Sequence, residues 1–342
     1  MIPQYNELAV DLGKIRRFLG ASSQQAQTVD QRRFAYIACI SALYASFENF
    51  AERVAFRFSE MLLSDRANLT DEQMASLRRR YVRNASALLG QSLGVGRYRE
   101  ITELDVAKSL LSFLDESSSS LDLRLELMTL HGSNLRWEPL TELFSWAIQD
   151  LQSKIRSSDA VKMWASGIVD VNDEALNGVL KSELDDLVER RNEVAHRAIP
   201  DEILSPERLL AKVDFVEAVS LGLAASLAGK LLEATAKSGA LQSLGTPSEY
   251  YQNNSVVVIP LLQVPIRTND CVLVLSGDSA RWGHVLEVRV EDVAVQNADA
   301  GIEVGLRLDF AVQKGKAIHR WPEPEPELLP PPKGMFGKRG PL

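Results

Sequence analysis

Leu184-Asp185-Asp186-Leu187-Val188-Glu189-Arg190-Arg191-Asn192-Glu193-Val194-Ala195-His196 is the run that decides the fold. Wound at about 100° per residue, it places Leu184, Leu187, Val188, Ala195 and Ala198 on one apolar stripe, the face of a helix packed in a bundle. Arg191 falls within roughly 20–30° of the middle of that stripe. A guanidinium keeps its proton in any surroundings, so burying it unpaired costs several kcal/mol. A carboxylate, a second subunit or a phosphate has to meet it. Asn192 and His196 are four residues apart and share one edge of the stripe. Arg191 and His196 lie about 140° apart, so one copy of the helix does not aim both at one atom. Two copies facing each other across a two-fold axis can line a shared cleft.

The rest of the chain bounds the classes open to it. Its 342 residues leave room for two domains, and 45% hydrophobic residues suffice for a sizeable core. A net charge of −8 and a pI near 5.3 exclude an indiscriminate nucleic-acid coat but leave room for a local basic patch. Cys39 and Cys271 both sit in apolar runs, which reads as buried small hydrophobes without a disulfide framework and points to a reducing cytoplasm. The N-terminal residues lack the basic and apolar segments of a signal peptide. The longest apolar stretch, near Ala218–Gly229, is too short to span a bilayer and ends at Lys230. The expectation is a soluble protein with no membrane partner.

Periodicity predicts an α+β chain. Residues 1–240 read as a helical domain. Helices are expected over Asn6–Leu19, Gln25–Leu63, a segment capped by Thr70 with Glu72 in its first turn, Leu104–Leu114, Leu121–Leu130, Pro139–Ser153, Ser158–Val169 and Asp173–Arg197. The last long helix has Ser205 as cap and Pro206 as first residue, and runs to about Ser238. In the second helix Ile37, Ile40, Leu43, Tyr44, Phe47, Ala51, Val54 and Phe58 form the apolar stripe. Ser117–Ser120 and His131–Asn134 read as loops. Residues 250–318 read as a small antiparallel β domain, a barrel or a sandwich. Val256–Ile259 is β-branched, Leu286, Val288 and Val290 alternate with polar residues, and so do Ile302, Val304, Leu306, Leu308 and Phe310. Gly277-Asp278 and Asp299-Ala300-Gly301 are turn candidates. Seven of the fourteen prolines fall in Pro322–Leu342, so 319–342 reads as a flexible Pro-rich tail.

Arg191-Asn192-x-x-x-His196, on a late helix of an all-helical region, resembles the HEPN superfamily, whose signature is an Arg followed by a polar residue, with four to six residues between the Arg and a His; here four intervene. Ser41-Ala42-Leu43-Tyr44-Ala45-Ser46-Phe47-Glu48 looks like that family's first core helix, where an aromatic precedes an acidic residue. The resemblance covers roughly residues 25–235. It implies a homodimeric, metal-independent endoribonuclease without a cofactor, of the toxin or anti-phage defence kind. Arg191 and His196 would be its catalytic pair, and Asn192 would bind or orient substrate. RNA supplies its own nucleophile, the 2′-OH, so the products implied are a 2′,3′-cyclic phosphate and a 5′-hydroxyl. The expected substrate is RNA, tRNA being one candidate, and an antitoxin or sensor protein the expected restraint. Other members of the superfamily are scaffolds or nucleotide-binding modules, so a non-catalytic dimer or a nucleotide sensor stands as the alternative.

Simpler readings compete at each residue. Glu48 can neutralise Arg191 as a buried carboxylate, or support the substrate. Arg190 and Arg197 flank the motif as solvated charges or substrate contacts. Arg78, Arg79, Arg80 and Arg83 form the densest basic cluster, either a solvated helix face or contacts to the RNA backbone. Arg281 and Trp282 read as packing before a base-stacking surface. His131, His284 and His319 show no metal-ligand spacing in sequence, and no metal is assigned. There is no Walker loop, dinucleotide loop or zinc motif.

Overall fold

The computed structural model describes residues 1–23, 28–64, 69–115, 121–132, 134–166, 173–196, 200, 202–237, 239–276 and 279–321. Among these the helices are α1 (Ile2–Ser23), α2 (Val29–Leu63), α3 (Asp71–Leu89), α4 (Glu103–Leu114), α5 (Leu125–Thr129), α6 (Trp137–Glu142), α7 (Leu151–Ser157), α8 (Asp159–Ser166), α9 (Asp173–His196) and α10 (Pro206–Lys237). The expected Ser117–Ser120 loop, Arg197, the Gly277-Asp278 turn, and the proline-rich segment from Pro322 onward lie outside the described residues. The chain divides into two compact units. One comprises Pro3–Ser153 and Val169–Ser220; the other comprises Met1–Ile2, Lys154–Ile168 and Leu221–Leu342.

In the first unit, helix starts follow capping chemistry. Thr28, Thr70 and Thr102 each accept from the backbone N–H three residues on, and Gln31, Gln73 and Asp105 return a bond to the cap. α2 is the central helix. Ile40, Leu43, Tyr44, Phe47, Ala51, Val54 and Phe58 are all 1% exposed or less, whereas Ile37, expected on this stripe, is half-buried and Tyr36 is buried in its stead; each large aliphatic or Phe side chain contributes about 1.5–3 kcal/mol. Against this stripe pack α5 and α9, and α9 presents Leu180, Leu184, Leu187 and Val188, all fully buried.

Four helix expectations change; among them α2 begins at Val29, capped by Thr28, and not at Gln25. α1 starts four residues earlier than Asn6 and ends at Ser23. Only Leu125–Thr129 of the 121–130 stretch is helical. The Pro139–Ser153 helix does not form as one piece: α6 ends at Glu142, and turns carry the chain to α7. Leu143, Phe144, Trp146, Ala147 and Ile148 are all buried. Apolar residues this dense would face out on one side of a lone amphipathic helix, and the turns bury them together.

In the second unit the strands are β1 (Gln242–Gly245), β2 (Glu249–Tyr251), β3 (Val256–Ile259), β4 (Ile266–Arg267), β5 (Cys271–Ser276), β6 (Ser279–Val290), β7 (Val293–Val295), β8 (Asn297–Ala298), β9 (Val304–Leu308) and β10 (Ile318–Arg320). The antiparallel order is β1-β10-β5-β6-β9-β3-β2, with β7 also on β6 and β4 paired to β8. Both wings of the sheet feed one core, from Leu244 and Ile318 on one side to Val257 and Leu306 on the other, so the sheet curls around it. Pairing reaches from Gln242 to Arg320, beyond the 250–318 span, because β1 and β10 are too short to show a period of two.

The alternation Leu286-Val288-Val290 also needs correction. Val285 opposes Leu308 while Glu287 opposes Arg307, so β6 has an extra residue there. This bulge shifts the phase: Val285 and Val288 are buried and Leu286 is 46% exposed. Ile302 stays outside β9 and is 38% exposed. The Asp299–Gly301 turn forms, with Gly301 at φ 93° and its N–H donating to the Leu262 carbonyl at 2.8 Å.

Among the described residues one helix segment, Pro206–Ala236 of α10, is by length and composition apolar enough to cross a membrane, longer than the Ala218–Gly229 stretch expected to be too short; 78% of its most apolar window is buried within the protein.

Candidate functional site

The motif helix α9 lies against α2, and the loop from His131 to Arg136 runs beside both. Arg191 is half-buried, because the apolar stripe ends one turn early: Val194 is half-buried, and Ala195 and His196 are exposed. Its guanidinium carbon sits 5.2 Å from the centre of the Tyr44 ring, within cation–π range. Its Nη1 donates to Asn192 Oδ1 at 3.2 Å. Among the described residues, no carboxylate lies within ion-pair distance of Arg191.

Glu48 is therefore not the partner of Arg191. Tyr44 stands between them, donating its hydroxyl to Glu48 Oε1 at 3.0 Å and accepting from the Leu135 N–H at 2.9 Å. Burial, then the Glu48 charge, pushes the Tyr44 pKa well above the ordinary phenol value, so the ring stays a neutral, fixed platform.

Asn192 Oδ1 also accepts from Asn134 Nδ2 at 2.7 Å, tying the motif to the loop. Arg190 turns away from Arg191. Its Nε donates to Asp186 at 3.0 and 3.1 Å and its Nη1 to the Tyr36 hydroxyl at 3.2 Å. Lys212 of α10 meets Asp186 at 2.7 Å and Glu183 at 2.5 Å. Arg190 thus holds the helices together and is not a solvated flank.

His196 has no hydrogen bond or ion pair among the described residues. With Asn192 it lines an open groove of about 510 Å³ whose other walls are Asp186, Glu189, Arg190, Glu193 and Glu202. Arg191 does not line it, as the angular separation on one helix requires. A single chain therefore offers a cation on an aromatic face and, separately, an imidazole in a groove rich in carboxylates.

The basic cluster on α3 divides. Arg79 and Arg83 are exposed and Arg78 is half-buried. Arg80 is 9% exposed and donates to the Glu142 carbonyl at 2.8 Å and the Met128 carbonyl at 3.4 Å. Burial, and then the neighbouring Arg83 charge, lowers its pKa to about 10. Arg80 is a bolt between α3 and the following segments, not an RNA contact. Trp282, 4% exposed and edge-on to His284, packs and offers no stacking face.

One grouping was not legible in the sequence. His131 Nε2 lies 2.8 Å from Glu52 Oε1 and 3.9 Å from Glu48 Oε1. Glu48 and Glu52, one helical turn apart, were the available signal; the third member lies 79 residues beyond Glu52.

A family-level sequence model described as RiboL-PSP-HEPN matches residues 9–227, well over half of the chain. No curated protein matches it.

Proposed function

Since the chain belongs to the RiboL-PSP-HEPN family of HEPN domains, we propose that it is a metal-independent endoribonuclease whose site is completed across a homodimer. The observation that carries this reading is Arg191: a cation on the Tyr44 face with, among the described residues, no carboxylate within ion-pair distance. Its free N–H donors form a fork matched to a phosphate. The His196 of a second copy supplies the proton transfer that the first copy's geometry does not bring to Arg191.

In the reaction the ribose 2′-oxygen attacks the adjacent phosphorus and the bond to the 5′-oxygen breaks. His196 as base takes the 2′-OH proton, and a protonated imidazole returns one to the 5′-oxygen. Arg191 stabilises the added negative charge on the phosphoryl oxygens. Asn192, held by Asn134 and Arg191, orients substrate. The carboxylates of the His196 groove disfavour a polyanion in an isolated chain, so dimer contacts and exposed Arg79 and Arg83 supply the compensating charge. The reading extends to a cytoplasmic toxin or anti-phage defence effector acting on tRNA or other RNA and held in check by an antitoxin or sensor protein.

The test is cleavage of total RNA or tRNA by wild-type protein and His196→Ala in excess EDTA, with products analysed for cyclic phosphate ends. A loss of at least about 100-fold is expected, the usual worth of general acid–base catalysis. Equal activity of the two proteins refutes the mechanism. A dimer inert with and without candidate activators transfers the reading to a scaffold or nucleotide-binding module.

A further inference from the structure

We propose that Glu48, Glu52 and His131 form a zinc-binding site that clamps the 131–135 loop to α2. One oxygen from each carboxylate and one imidazole nitrogen lie within 4.8 Å of one another. The ligands of a tetrahedral zinc ion, at roughly 2.0–2.2 Å from the metal, stand about 3.4 Å apart. The two imidazole–carboxylate distances, 2.8 and 3.9 Å, bracket that value, so small side-chain shifts suffice. The side chains are 8%, 11% and 22% exposed for His131, Glu52 and Glu48. Two carboxylates and an imidazole thus converge where water screens them poorly, a donor set that a divalent ion can hold together.

The donor set favours zinc over magnesium and calcium. An imidazole with two carboxylates suits zinc, whereas magnesium and calcium take oxygen-only shells. The surroundings are also those of a supported ligand. The Tyr44 hydroxyl, itself fixed by the Leu135 N–H, donates to Glu48 and orients it. An open pocket of about 330 Å³ reaches His131 past Asn84 and Gly132. Arg80 and Arg83 also line that pocket, but Arg80 is committed to backbone carbonyls and Arg83 faces Glu142 at 3.9 Å. The ion would have a positioning role: through Glu48 and Tyr44 it fixes the ring beneath Arg191. The proposal stands whether or not the protein cleaves RNA.

Tag-free full-length protein, stripped with chelator and then freed of it, would be titrated with zinc chloride by calorimetry and by thermal melts. One saturable zinc per chain and a raised Tm are expected, with magnesium chloride giving no shift. Glu52→Gln and His131→Ala should each weaken zinc binding at least tenfold and erase the Tm rise. Absence of saturable binding overturns the proposal, as does binding unchanged in folded variants. X-ray absorption on the zinc-loaded wild type decides the matter even if the variants fail to fold. A shell of nitrogen and oxygen with imidazole scattering supports the site; a sulfur ligand places the ion on a cysteine and overturns it.

Discussion

Replacing Arg191 by Met removes the charge and keeps a flexible stem over the Tyr44 ring. The wild-type side chain makes two contacts whose worth can be set down. The half-buried guanidinium over the buried Tyr44 ring contributes about 1 kcal/mol. The hydrogen bond to Asn192 adds about 1 kcal/mol more. The substitution should cost about 2 kcal/mol, a Tm drop of roughly 4–8 °C for a unit of this size, measured by urea and thermal unfolding on the helical signal. A double-mutant cycle with Tyr44→Leu isolates the ring contact and should return a coupling of about 0.5–1 kcal/mol. In the same cycle Tyr44→Phe keeps the ring and should return little coupling. Cleavage, by contrast, should fall by at least about 100-fold in Arg191→Met, as removal of a transition-state charge stabiliser does. A stability loss of about 3–5 kcal/mol is the mark of a broken buried ion pair. That result would mean a carboxylate of the same chain balances Arg191, and the reasoning from an unneutralised cation would fail.

The remaining expectations concern the frame. Arg80→Ala should destabilise by about 1–3 kcal/mol, because it removes packing and the Arg80 donor to the buried Met128 carbonyl. Arg79→Ala and Arg83→Ala should stay within about 0.5 kcal/mol, and equal costs in melts of all three would contradict the division. For Asp186, burial alone raises the pKa, but the hydrogen bonds and charges of Lys212 and Arg190 outweigh it and hold the carboxyl below its ordinary value. Its stabilising contribution is then complete above the unfolded value near about 3.9 and is lost as pH falls through the lower folded value. The stability gap between wild type and Asp186→Asn should be flat from about pH 5 to 8 and shrink in acid below about pH 4; a gap that widens in acid unfolding would be contrary. Gly283→Ala should be poorly tolerated, since its Cβ would fall 2.0 Å from Asp309 Oδ1, the acceptor of the His284 N–H, and 2.7 Å from Phe310 Cδ1. A cost of about 1–3 kcal/mol is expected, and an unchanged denaturation midpoint would show that the Asp309 turn yields freely.

Where one-dimensional periodicity carries the information, the sequence alone was sufficient. The three-to-four spacing of α2, the caps at Thr70 and Ser205, the motif helix and the Val304–Leu308 alternation are local patterns, and each is found where the pattern places it. The Arg191–His196 angular separation is a property of any α-helix, and it holds here because α9 is regular through both residues. The tertiary structure decided what faces what. No local rule brings Tyr44 rather than Glu48 under Arg191, turns Arg190 to Asp186 and Tyr36, or buries Arg80 beside exposed Arg79. Those outcomes depend on helices distant in sequence and on the energetic demand that a buried charge find donors or acceptors wherever the packing offers them. The Val285–Glu287 bulge and the broken 139–153 segment have the same origin. There, filling the core outweighed the regular repeat, and His131 was brought to Glu48 and Glu52 by the path of a loop that carries no periodic signal.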